Sequence, residues 1–205
     1  MRYAMLTVLC VLGMLAGCAS TSGLTRPAAG PAPDGAIVIE VASADDVDPL
    51  AAGKAAATKL EERMGGSAPH AVIMAECFEE EALKQAALDG VASVFPRERI
   101  FGLATYGSFE QAGCLDLDSV SLMGIGGDGV AVSAALAPEL GIAGLTMEHD
   151  LALLTERLHT AGAALAQDVP KTEQDRLMIV MADAHSPKNQ FLVEGLQQEL
   201  GTGFP

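Results

Sequence analysis

One stretch restricts the possible folds more than any other. Ala71-Val-Ile-Met-Ala-Glu-Cys-Phe78 leads through a helical segment to Ile100-Phe-Gly-Leu-Ala-Thr-Tyr-Gly-Ser-Phe109. Residues 70–74 make a short apolar run, and Glu76-Cys-Phe-Glu-Glu-Glu81 breaks it with carboxylates that suit a helix N-terminus, where the macrodipole favours negative charge. Ala82, Leu83, Ala86, Gly90, Val91 and Val94 then recur near the helical period, so one helix face is apolar. Phe95-Pro96 closes the helix, and a second apolar run follows Arg97-Glu-Arg99. The result is a β–α–β unit, whose parallel strands bring Glu76–Phe78 beside Thr105–Ser108. Such loops are where α/β proteins place their sites.

The flanking segments extend this architecture. Ile37-Val-Ile-Glu-Val41 is a short β-branched strand, and Asp48-Pro49 caps a helix whose Ala52, Ala56, Leu60 and Met64 share one face before Gly65-Gly66 ends it. After a connection at 111–118, the apolar runs 119–125 and 130–136 flank Gly126-Gly-Asp-Gly129, a hairpin signal. A phosphate-cradling loop would lead into a helix, carry a Lys or have a longer spacing. Pro138 to Met147 is a further connection. Asp150 then caps a helix carrying Leu151, Leu154, Leu158, Ala161 and Leu165 on one side, and Pro170 stops it. Residues 176–182 read as a buried strand and 183–186 as a loop. Pro187 opens a last helix, with Phe191, Leu192, Leu196 and Leu200 on one face and Gly201 at its end.

The expected fold is therefore α/β, a β-sheet flanked by helices, built from repeated β-α-β units with a central β-hairpin. The repetition is visible in the residues. Val72-Ile-Met-Ala-Glu76, a helix and Val94-Phe-Pro96 are echoed by Ile179-Val-Met-Ala-Asp183, a helix and Gly203-Phe-Pro205. The first copy continues into the run Ile100–Ala104; the second stops where its strand would start. The reading expected from this broken echo is a domain truncated at the C-terminus, with an exposed sheet edge.

The N-terminus reads as an address. Arg2 precedes the apolar segment Met5–Leu15, too short for a membrane span, and Leu15-Ala16-Gly17-Cys18 resembles a bacterial lipobox. That resemblance implies diacylglycerol on the Cys18 thiol, cleavage before it and acylation of the new amino terminus. Two or more acyl chains make a stable anchor. Ala19 after the lipidated cysteine resembles the pattern sorted to an outer membrane, giving the periplasmic face of that membrane in a diderm host. The domain reading is a signal peptide at 1–17, a lipidated cysteine with a Pro- and Gly-bearing tether at 18–36, and an α/β domain at 37–205.

Composition narrows the partners. With 12 Lys+Arg against 27 Asp+Glu, a formal charge of −15 repels nucleic acid and anionic headgroups, so no nucleic-acid partner is expected. Aromatics are 4% and Trp is absent, which argues against a stacking site for bases or sugars.

With these residues placed, the chain resembles the N-terminal part of a FIST domain, from about Ile37 onward. The resemblance rests on Asp48-Pro-Leu-Ala-Ala-Gly53 at the first helix, the strand at 71–75, Phe101-Gly-Leu-Ala-Thr-Tyr-Gly107 and the glycine-rich turn that follows. Ala104-Thr105-Tyr106 departs from the small-residue strand exit of that family. What the resemblance implies is a small-molecule sensor module of bacterial signalling proteins, with amino acids or related metabolites as ligands.

The candidate pocket follows from parallel strands ending at Ala75, Ala104 and Ala182. Their exits would converge Glu76, Thr105, Tyr106, Ser108, Asp183 and His185, donors and acceptors suited to an amino-acid-like ligand. Cys77 and Cys114 remain after signal removal and form either a disulfide, worth about 4 kcal/mol on the chain-entropy model, or two buried thiols. A hydrolase would use Cys77 with His185 or His149 and Asp183, but no local signature supports it. Asp183-Ala-His185 lacks further metal ligands at telling spacings, and the methionines read as core filling. The expectation is a non-enzymatic, lipid-anchored, ligand-binding sensor without metal or cofactor. An envelope protein-protein interaction module is the alternative.

Overall fold

The computed structural model describes residues 35–110, 113–115, 117–137, 140–170, 175, 177–182, 188–201, 203 and 204, with the main chain alone at 109, 110 and 114. These residues divide into two units, 35–132 and 133–204.

The first unit is a four-stranded mixed sheet with two helices. Its strands are β1 (Val38–Asp45), β2 (Pro69–Glu76), β3 (Ile100–Ala104) and β6 (Ser119–Gly126), in the order β1-β6-β2-β3. The β–α–β unit is present as expected: β2 and β3 are parallel, with Val72 opposite Ile100 and Glu76 opposite Ala104. Helix α2 (Glu81–Ala92) and a 3-10 turn (Arg97–Arg99) connect them. Of the acidic residues read as its N-terminus, only Glu81 falls in the first turn.

Helix α1 (Pro49–Arg63) is capped by Asp48, whose Oδ1 accepts from Leu50 N at 3.0 Å, and it ends before Gly65 and Gly66, both at positive φ. Its predicted face, Ala52, Ala56, Leu60 and Met64, is buried against Ala42, Ala44, Val72, Met74, Val120 and Leu122 from the sheet. The two helices cross with their backbones nearly touching. A Cβ at Gly53 would lie 2.1 Å from Ala87 O, and one at Gly90 would lie 2.3 Å from Leu50 O. Small residues at both positions permit that approach, and anything larger would separate the helices.

Two expectations fail here for one reason. Strand β1 runs to Asp45 rather than ending near Val41, and residues 130–136 form no hairpin strand with β6. Strand β6 is central, and both its edges are occupied: β1 pairs antiparallel along all eight of its residues, Val38 opposite Gly126 through Asp45 opposite Ser119, and β2 pairs antiparallel on the other side. No edge is left for 130–136 to join. The two-stranded hairpin that does form joins β4 (Ser108–Glu110) to β5 (Gly113–Leu115), partly within what read as a connection. Edge strand β1 is guarded by α1: Arg63 donates to Val41 O, and Lys59 Nζ donates to Ser43 O at 3.0 Å.

The second unit holds α3 (Leu151–Asp168) and α4 (Asn189–Leu200), packed around Leu158, Leu165, Ala166, Met178, Leu192 and Leu196. Their crossing repeats the device of the first unit, with a Cβ at Gly162 falling 2.2 Å from Leu192 O and one at Gly195 2.3 Å from His159 O. Val169 closes α3 before Pro170, and Gly201 at φ 84 closes α4. Asp150 occupies the N-cap position of α3, yet its carboxylate accepts from Thr146 N at 2.9 Å instead of capping the helix. Of the strand expected at 176–182, residues 177–182 pair with no strand among the described residues. Among the described residues no helix is long and apolar enough to cross a membrane.

Candidate functional site

The exits of β2 and β3 lie side by side. Thr105 N donates to Glu76 O at 2.8 Å, continuing the parallel ladder one step past Ala104. Two of the six predicted pocket residues are thereby brought together through their main chains.

Their side chains part company. Strand residues alternate between faces, and Val72 and Met74 belong to the core beneath the helices, so Glu76 continues that face. It is 6% exposed. Glu76 Oε2 accepts from Phe78 N at 2.9 Å, and Oε1 lies 3.9 Å from Lys84 Nζ on α2. Burial raises its pKa, opposed by the Phe78 amide and the Lys84 charge. Glu76 thus shapes the β2–α2 loop from within, rather than standing open to a ligand.

Ser108 is buried with Ser119, their hydroxyls 2.6 Å apart, where the β4–β5 hairpin leaves the exit. Ser119 lies on the face opposite to Val120, the register partner of Glu76, so Ser108 joins the other side of the sheet. Between these two faces runs the Thr105–Gly107 turn. Thr105 Oγ1 accepts from Gly107 N at 3.0 Å, and Tyr106 projects with 88% of its surface exposed. Asp183, His185 and Cys18 lie outside the described residues.

Sequence reasoning missed three contributors. Lys84 is a helix residue whose reach to Glu76 depends on α2 folding back over β2. Ser119 required the β6 register. Asp118 adopts φ 59, a left-handed geometry that aspartate tolerates better than most residues; its N donates to Cys77 O at 3.3 Å and its O accepts from Asp46 N at 3.1 Å. It thereby ties the β1–α1 and β2–α2 loops to the start of β6. A polar residue just before an apolar run was the only available signal.

Cys77 is buried at 4% exposure, and its main chain is held by Ser119 O and Asp118 N. A sulfur so enclosed is not an accessible nucleophile. The side chain of Cys114 is not described, so the pairing of the two cysteines lies outside the structure. His149 is exposed in the second unit, and no group of three or more His, Cys, Asp or Glu suited to a metal ion occurs among the described residues. Surface His70 reaches Gly127 O at 3.1 Å, and His159 meets Glu194 Oε2 at 2.9 Å across the α3–α4 crossing.

The family model of the FIST N domain matches residues 71–205. The chain belongs to the FIST family. FIST domains are signalling-associated modules commonly thought to bind small ligands. The match begins at the third residue of β2 and takes in the rest of the β2–α2–β3 unit that the sequence singled out, together with both helices of the second unit, and leaves β1 and α1 outside it. No curated protein and no solved structure matches the chain.

Proposed function

We propose that this FIST domain is a lipid-anchored, extracytoplasmic sensor that takes a small amino-acid-like ligand at the strand exits of its first unit. One observation carries the reading: parallel β2 and β3 finish together at Glu76 and Ala104. The crevice beyond the carboxyl ends of parallel strands is where open α/β sheets receive ligands. The Thr105 hydroxyl donates to Gly107 O within the turn, and it would swing from that oxygen to serve a ligand carboxylate. The acidic border at Asp46 and Asp118 attracts an ammonium group. Glu76 supports the loop rather than meeting the ligand.

A thermal-shift screen of amino acids and small metabolites on the intact protein tests the site. A ligand that stabilises the wild type should stabilise Thr105→Val less, by about 1–3 kcal/mol for a lost hydrogen bond to charge. Equal shifts in both would move the site elsewhere. The anchor is tested separately, since Cys18→Ser should abolish fatty-acid labelling and release the protein from the membrane fraction.

The interaction-module reading is favoured by the exposure of large apolar side chains, with Tyr106 at 88%, Ile39 at 54% and Leu103 at 44%. It moves ahead if no small molecule shifts the wild type.

A further inference from the structure

Strand β3 is the last of its sheet, and its outer edge is open. Thr105 N donates to Glu76 O, and strand residues turn their main-chain groups alternately to either side. Phe101, Leu103 and Thr105 therefore face β2, while Gly102 and Ala104 face away from it. The outward N–H and C=O groups of Gly102 and Ala104 bond to no described residue. Gly102, Leu103 and Ala104 are all exposed. Lys59 and Arg63 reach the carbonyls of β1, the opposite edge, and no described side chain does the same for β3. An edge left in this way is a template for another strand.

The residues of the edge select that strand. Antiparallel strands exchange both N–H···O bonds between residues whose main chains face each other. A two-fold axis through Leu103 sets Gly102 of one copy opposite Ala104 of the other, and Ala104 opposite Gly102. Every outward group of these two residues then finds its complement, with none left over. Leu103 meets its own counterpart at the axis, in a narrow pair whose exposed side chains come into contact. Charge fixes the direction. Residues 100–107 carry none, while Arg97, Glu98 and Arg99 lead into the strand. Antiparallel pairing sends the two charged sets to opposite ends of the ladder, where parallel pairing would set like beside like.

We propose that β3 is a self-complementary interface through which two copies of this chain pair, antiparallel and in register about Leu103. The interface is small. Five residues bury less than the roughly 1,000 Å² of a stable complex, and a formal charge of −15 on each copy opposes the encounter. The pair therefore forms at high protein concentration and strengthens as salt screens the repulsion.

Sedimentation and residue-level hydrogen exchange on the full chain, over a range of protein and salt concentration, test this. Dimer should increase with both, and exchange at the Gly102 and Ala104 amides should slow by about tenfold as it does, while Phe101, Leu103 and Thr105 stay protected throughout. Leu103→Lys should give a monomer with unchanged far-ultraviolet dichroism. The register has its own test in Leu103→Cys. Facing Cα atoms of a narrow pair lie about 4.5 Å apart, within disulfide reach, so mild oxidation should cross-link two copies of this variant and neither the wild type nor Ala104→Cys. A monomer at every concentration and salt overturns the proposal. So does a dimer that survives Leu103→Lys, or one that cross-links at Ala104→Cys and not at Leu103→Cys. Slow exchange at Gly102 and Ala104 in the dilute monomer would show the edge covered within one chain, and overturns it too.

Discussion

The two units use the same helix crossing and differ in what lies beneath it. In each, a glycine from either helix lets the backbones meet, Gly53 with Gly90 and Gly162 with Gly195. In each, the helix following the crossing is preceded by a similar apolar run. Val72–Glu76 is a strand with ladders on both sides, whereas 177–182 has no ladder with any described residue. Helix contact is encoded by residues on the helices themselves, but a strand exists only with a partner, so near-identical sequence yields different structure.

The sharpest way to break this comparison is a proline in each run. Ile73→Pro removes an N–H from a central strand and should abolish folding of the first unit, while Ile179→Pro removes one that bonds to no described residue and should cost about 1 kcal/mol. Chemical denaturation followed by hydrogen exchange in each unit measures both. Equal costs would show that the second run has a ladder in solution.

A smaller effect is expected at the crossings. Gly90→Ala and Gly162→Ala each drive a Cβ into backbone carbonyl oxygen and should destabilise their own unit by about 3 kcal/mol. If the two substitutions lower protection in both units alike, the units fold as one cooperative body.

The smallest effect belongs to Glu76, which has no titrating counterpart among the described residues of the second run. Its pKa is raised mainly by burial, so its share of stability is fully present below the ordinary carboxylate value near 4.5 and is lost as pH rises through the elevated value. Glu76→Gln should remove that loss, making the variant's stability decline less than the wild type's as pH rises from acid toward neutrality. Parallel pH profiles would mean that the Phe78 amide and Lys84 fully offset the burial.

Much of the first unit was legible in the sequence, and the reasons are local. The Asp48 cap, the four-residue spacing from Ala52 to Met64 and the β–α–β order all report on neighbours within a few turns of chain. The central position of β6 was not legible, because two strands claimed its edges from far away in sequence and displaced the hairpin that Gly126–Gly129 suggested. The site was half legible for a related reason. Strand exits located Thr105, while the face of Glu76 depended on which side of the sheet the helices covered. Asp150 shows the limit of capping signals, since a competing amide at Thr146 took its carboxylate.

The guarding of β1 by Lys59 and Arg63 has a consequence for assembly. A sheet open at both margins can extend indefinitely, as filaments do, but one whose first margin is held by cations from its own helix can recruit at the β3 margin alone. Growth through this sheet therefore stops after a single addition, at a closed pair. At high local concentration, that one-sidedness separates a reversible encounter from a deposit.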